Sequence, residues 1–173
     1  MADSENPGEL QRASEAYLNV ARDRLNYLLS QVDCIDNKLT SVIGSATIVL
    51  PVTAGLLVRS PKEFGDMPLI VVGLLALATL AYLILFVLFY IGYRPIEWDD
   101  RPNMAQWKEE GAVYRGEYED VLYKWLGDGC IDAYSANYPK VQDKARHLQH
   151  SMIALAAEVL FLAAAVLALL LLD

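Results

Sequence analysis

Two long stretches of this 173-residue chain contain no Asp, Glu, Lys or Arg: Leu39 to Val58, and Met67 to Tyr93. A third, Met152 to Leu172, holds only Glu158. Soluble domains spread their charge along the chain, so these gaps argue against an ordinary soluble fold. Cysteine is nearly absent as well. Cys34 and Cys130 stand far apart, which excludes a disulfide framework and a cysteine-rich metal site. Histidine occurs twice, at His147 and His150, three apart on an expected helix. No third ligand accompanies them, so they read as residues of the membrane surface and no metal is expected. There is no Gly-x-Ser-x-Gly, P-loop, Gly-rich dinucleotide turn or pocketed pair of carboxylates, which points away from an enzyme. The residues Met1 to Glu9 are acidic and polar and unlike a signal peptide, so the first apolar block is expected to be a retained anchor. Repeats, low-complexity tracts and strand-like alternation are also missing.

What the chain does have is apolar residues, 55% of the total. They collect in blocks over 42–58, 68–93 and 152–172. A helix rising 1.5 Å per residue needs about 20 mostly apolar residues to cross a hydrocarbon core of about 30 Å. The second and third blocks meet that length outright, and the first meets it with its rim included. The expected spans are therefore 39–60, 68–93 and 151–172, and Pro51 is tolerable within the first. The competing reading of the first block is a buried core helix or a re-entrant hairpin.

Short-loop Lys and Arg set the orientation. Arg12, Arg22, Arg24 and Lys38 precede the first span, and only Arg59 and Lys62 lie between the first two. Eight more lie between the second and third spans, and none follows the third. The expectation is a multi-pass protein of a bacterial inner membrane, with a cytoplasmic N-terminus and its C-terminus outside. The net charge of −8 includes about −3 on each cytoplasmic segment, which opposes broad nucleic-acid binding.

The fold class expected is all-α and integral to the membrane. A long cytoplasmic helix over 1–38 leads into the first span, and a helical region over 94–150 leads into the last. Within 94–150, Asn103 suits an N-cap for a helix through Trp107, Tyr114, Tyr118, Leu122 and Trp125. Gly127-Asp128-Gly129 is expected to end that helix, and a second is expected from near Ile131 with a break or bend near Pro139. Those two helices would form a cytoplasmic hairpin.

In the N-terminal arm, Leu18, Ala21, Leu25, Leu28, Val32, Ile35 and Leu39 alternate at spacings of three and four, a heptad seam. It suits two partners: copies of the same helix in a homo-oligomer, or the helix that precedes the last span. For assembly the seam residues are Leu18, Leu25, Leu28, Val32 and Ile35. The first span carries small or hydroxyl side chains at helical spacing (Thr40, Gly44, Thr47, Pro51, Ala54), suited to tight helix packing or to lining a water path. Glu158, about two turns inside the last span, is a costly residue there and a candidate for pore or gating function; a packing role is the alternative. Three helices cannot enclose a water-filled path, so any pore is oligomeric.

The stretch RDRLNYLLSQVDCIDNK over 22–38, entering the first span, and NYPKVQDKARHL over 137–148, entering the last, together resemble small bacterial anti-phage membrane effectors. These are the Pycsar transmembrane effectors and the related SLATT (SMODS- and SLOG-associating two-helix) effectors. A third span fits the Pycsar-type branch better. The resemblance implies a membrane protein encoded beside a cyclase or nucleotidyltransferase, controlled by its nucleotide messenger, cyclic or oligomeric. In its open form it would permeabilise the inner membrane of an infected cell, an abortive-infection device. It also implies that Arg22, Arg24, Lys38, Lys140, Lys144 and Arg146 bind the anionic ligand, although positive-inside anchoring accounts for most of them without one. Trp107, Tyr114, Tyr118 and Trp125 are candidates to stack a base, or else ordinary packing residues. The bilayer, a nucleotide and the chain itself are the expected partners, with no cofactor. Two other readings stay open: a non-conducting scaffold that recruits a cytoplasmic protein, and a transporter subunit.

Overall fold

The computed structural model describes residues 7–58, 67–99 and 119–172. Among them are three helices: α1 (Pro7–Val58), α2 (Leu69–Tyr93) and α3 (Glu119–Leu171), of 52, 25 and 53 residues. No strand occurs among the described residues. Two helical stretches, Leu69–Tyr93 and Leu122–Leu171, are long and apolar enough to cross a membrane. The third expected span lies on α1 as far as Val58; its last two residues fall outside the described residues.

Both long helices run through residues expected to interrupt them. α3 continues across Gly127-Asp128-Gly129 and across Pro139, so the expected helix end at 127–129 and the break near Pro139 are absent. Leu122 and Trp125 therefore belong to α3. The expected helix start at Asn103, with Trp107, Tyr114 and Tyr118, lies outside the described residues. Pro139 and Pro51 are both exposed, which keeps the ring and the carbonyl it frees on the outer side of the helix. Tertiary packing offsets the cost of about 1 kcal/mol that each interior glycine carries.

The chain divides into two compact units. The first combines Met1–Asp33 with Ile96–Gln142. Its buried stripe on α1 is Ala21, Leu28 and Val32, and on α3 it is Cys130, Ala133, Asn137 and Val141. Leu18, Leu25 and, beyond this unit, Ile35 are half-buried, while Leu39 is fully buried. Of the two partners open to the heptad seam, the chain's own residues cover it. At the N-terminal end of this unit Tyr17 lies against Gly127. A Cβ on Gly127 would sit 2.5 Å from Tyr17 Cε1 and 2.6 Å from Cδ1. The Tyr17 hydroxyl donates to Asp128 Oδ1 at 2.7 Å.

The second unit combines Cys34–Pro95 with Asp143–Asp173. Many of its inner side chains are small or polar: Ala46 on α1; Ala78, Ala81 and Gly92 on α2; Ser151, Ala154, Glu158 and Ala165 on α3. Leu39, Val71, Leu85, Leu162 and Leu169 fill the remaining inner positions. The large apolar residues point outward, with Leu69, Leu80, Phe86, Leu160, Leu167 and Leu170 all exposed. Gly92 permits a close crossing, since a Cβ there would lie 3.0 Å from His147 Cβ and 3.3 Å from Leu39 Cδ1.

The contact at Gly127 makes a signed prediction. Gly127→Ala gains helix propensity but displaces the Tyr17 ring, so it should lower the stability of detergent-solubilised protein by about 1 kcal/mol. In a Tyr17→Ala background the same change should raise stability by up to about 1 kcal/mol. Thermal unfolding midpoints of the four proteins in this cycle read the reversal.

Candidate functional site

The six basic side chains expected to hold an anion are deployed in different ways. Lys144 is buried in the second unit and donates to both carboxylate oxygens of Asp36, at 2.7 and 2.9 Å. Its side chain is 5% exposed and that of Asp36 is 30%. A buried ammonium needs such a partner, because desolvation without one costs several kcal/mol. Lys144 is therefore already neutralised by the chain.

Lys140 is committed in the first unit. Its ammonium donates to the carbonyl of Glu97 at 2.7 Å and approaches Asn137 Oδ1 at 3.5 Å. Asn137 is fully buried, and its amide pairs with the backbone of one residue. The Asp99 N–H donates to Asn137 Oδ1 at 2.9 Å, and Asn137 Nδ2 donates to the Asp99 carbonyl at 2.8 Å. Asn137 and Lys140 thus hold the extended residues 97–99 against α3.

Arg146 lies 3.5 Å from Asp143, both exposed. Arg22, Arg24 and Lys38 are exposed. Arg24 lines an open groove of about 440 Å³ in the first unit with Val20, Asp23, Tyr27 and Tyr134. Of the six, two are engaged by the chain, one sits beside an acid, and three are exposed on α1.

Charge and burial also tune two groups of the first unit. The hydrogen bond to Asp128 raises the Tyr17 phenol above its ordinary value, with burial and the Asp128 and Asp132 charges adding to it. Burial raises the Cys130 thiol, opposed by the nearby Arg22 charge, so Cys130 stays a thiol at neutral pH. Cys34 is exposed.

The expected pore residues separate into two sets. Thr40, Gly44, Thr47 and Pro51 are exposed on α1. Their hydroxyls are satisfied within the helix: Thr40 Oγ1 donates to the Asp36 carbonyl at 2.9 Å and Thr47 Oγ1 to the Ile43 carbonyl at 2.8 Å. Gly44 and Gly55 have open space where a Cβ would stand. Glu158, by contrast, is 0% exposed on the inner face of α3. Neither of its carboxyl oxygens has a hydrogen-bond partner among the described residues. Among the described residues no three His, Cys, Asp or Glu side chains gather as a metal site. His150 borders an apolar groove of about 350 Å³ in the second unit, and His147 turns inward.

Sequence reasoning did not anticipate Asp36, Asn137, Glu97 or Asp99 as partners. The register of Lys144, seven residues before Ser151 on the inner face of α3, carries the one signal that a burial pattern could have used. No family model matches the chain, and neither does any curated protein or solved structure.

The Lys144–Asp36 pair yields an asymmetric prediction. Asp36→Ala strands a buried ammonium and should cost about 3 kcal/mol, whereas Lys144→Met exposes a carboxylate that water can reach and should cost about 1 kcal/mol. Combining the two should be milder than Asp36→Ala alone in thermal unfolding of the solubilised protein.

Proposed function

We propose that the chain is a three-span membrane protein, with α2, the C-terminal part of α3 and the α1 segment over 39–58 crossing the bilayer. The carrying observation is the second unit's surface: Leu, Ile and Phe are exposed along α2 and α3, while Ala, Gly, Ser and one Glu share the buried positions with Leu39, Val71, Leu85, Leu162 and Leu169. Large contiguous apolar surface is unfavourable in water but matches lipid, and small residues at contacts are how membrane helices approach each other. The Lys and Arg distribution supports an N-terminus and 94–150 region in the cytoplasm. Together with the likeness of 22–38 and 137–148 to anti-phage effectors, this supports an oligomeric effector that permeabilises the inner membrane under nucleotide control. Because the heptad seam is covered within the chain, copies would meet through the exposed faces of the spans.

A second reading has its own observation. Lys140 and Lys144 are spent on Glu97 and Asp36, which leaves fewer basic groups for an anion. That favours a scaffold whose cytoplasmic unit recruits a protein and which conducts nothing.

Two measurements separate these. Dye leakage from liposomes carrying the purified protein, with and without cyclic and linear nucleotides, should switch with one nucleotide class if the effector reading holds. Folded, inserted protein that never leaks selects the scaffold. For orientation, a membrane-impermeant maleimide should leave Cys34 unmodified in intact cells and label it after permeabilisation, while Cys130 stays unmodified in both; labelling of Cys34 in intact cells reverses the topology.

A further inference from the structure

On the inner face of α3 the polar side chains form a file. Lys144, His147, Ser151 and Glu158 follow at spacings of three, four and seven, which places them on one stripe of the helix. Lys144 is closed by Asp36. His147 is half-buried, and its Nδ1 is buried with no hydrogen-bond partner among the described residues. Ser151 is fully buried and donates to the His147 carbonyl at 2.8 Å. Glu158 ends the file, fully buried and with both oxygens unpartnered among the described residues. Beyond it the inner face is Leu162, Ala165 and Leu169, apolar to the end of the helix. Along α3 the file is therefore one-sided: among the described residues, the buried polar groups of its inner face lie between Glu158 and the Lys144 end.

Among the described residues, no charged side chain is paired with Glu158. The packed segment of α1 over 39–58 and all of α2 contain no Asp, Glu, Lys, Arg or His. The titratable groups of α2 are Tyr82, Tyr90 and Tyr93; Tyr82 packs against the inner cluster of Ala46, Leu85 and Ala154, and Tyr90 and Tyr93 are exposed. In the part of α3 that belongs to this unit, the other charged or imidazole groups are Asp143, Lys144, Arg146, His147 and His150, all four or more residues on the Lys144 side of Ala154. A metal cation at Glu158 would need several more oxygens, and the nearest file oxygen, Ser151 Oγ, is two turns or about 10 Å away by helix rise. A proton needs no further ligand, and it removes the charge that makes a carboxylate costly in such a place.

We propose that Glu158 is a proton-binding site of the membrane bundle, exchanging its proton with the Lys144 side alone by way of Ser151 and His147. The apolar cluster of Ala46, Leu85 and Ala154 lies at the level between Ser151 and Glu158 and acts as a dry layer that must wet for exchange. Loss of the proton leaves a carboxylate that the closed seam cannot accommodate, so deprotonation favours a hydrated, rearranged bundle. The site thereby couples the state of the bundle to the pH on the Lys144 side, the cytoplasm in the topology above.

This inference rests on the three-span reading, and one preparation tests both separately. Full-length protein is reconstituted in phosphatidylcholine–phosphatidylglycerol vesicles and floated on a density gradient. Protein that does not float, or that alkaline carbonate strips away, overturns the three-span reading. On floated protein, infrared difference spectra at neutral pH should show a protonated-carboxyl C=O stretch in wild type that Glu158→Gln removes. That band should shift on transfer to deuterium oxide, and the shift should slow in Ser151→Ala and in His147→Leu while the band itself remains. Floated wild-type protein without the band overturns the proton site. A band that sodium chloride abolishes at constant pH replaces the proton with a metal cation. Exchange unchanged in both path variants overturns the one-sided route.

Discussion

Close approach of the helix backbones in the apolar unit depends on side chains of one carbon or none at the points of contact. Gly92 is the clearest case, since even a single methyl there would crowd the Cβ of His147. Ala46, Ala78, Ala81, Ala154 and Ala165 make the same allowance along the rest of the seam. In hydrocarbon there is no water to expel, so contact between helices draws on van der Waals packing and a few polar groups. In the three-span reading proposed above, that condition accounts for the bulky side chains on the outer face and for the Ala and Gly at the closest contacts. Glu158 lies in the same seam, fully buried and with neither carboxyl oxygen hydrogen-bonded among the described residues.

The ends of that unit are governed by a different constraint. Lys144 would be an expensive residue to bury alone, and Asp36 meets it with both oxygens. The pair joins residues 108 apart in sequence and ties α1 to α3 inside one unit. The first unit uses a comparable device at its own edge, where Tyr17 reaches Asp128 across 111 residues and Gly127 makes room for the ring. In both places a polar contact specifies register, while the apolar seam beside it supplies most of the burial.

The apolar blocks were readable because their signal is local: long charge-free runs translate directly into helices of membrane length. Glu158 falls on the buried face of α3, whereas Thr40, Gly44, Thr47 and Pro51 of the 39–58 segment lie on an exposed face of α1. The continuity of α3 was not readable in this way. Gly127, Gly129 and Pro139 are local breakers, and only packing partners far away in sequence outweigh them; Tyr17 against Gly127 is one. The partners of the basic residues were hidden for a related reason. Lys140 and Lys144 look like free cations in a linear sequence, and their acceptors, Glu97 and Asp36, lie 43 and 108 residues away. The heptad seam named the buried positions but was silent on whose residues would cover them, since a periodicity describes one surface and not its partner.

The amide of Asn137 pairs with both backbone groups of Asp99, as one peptide group would pair with another in a ladder. The contact therefore tells asparagine from aspartate by a single atom. Spontaneous loss of the side-chain nitrogen, the ordinary chemical ageing of asparagine, would turn the donor into a second acceptor facing the Asp99 carbonyl. It would also place a new negative charge in a fully buried position. Keeping Asn137 sealed from water thus protects the chemical lifetime of the clamp as well as its geometry.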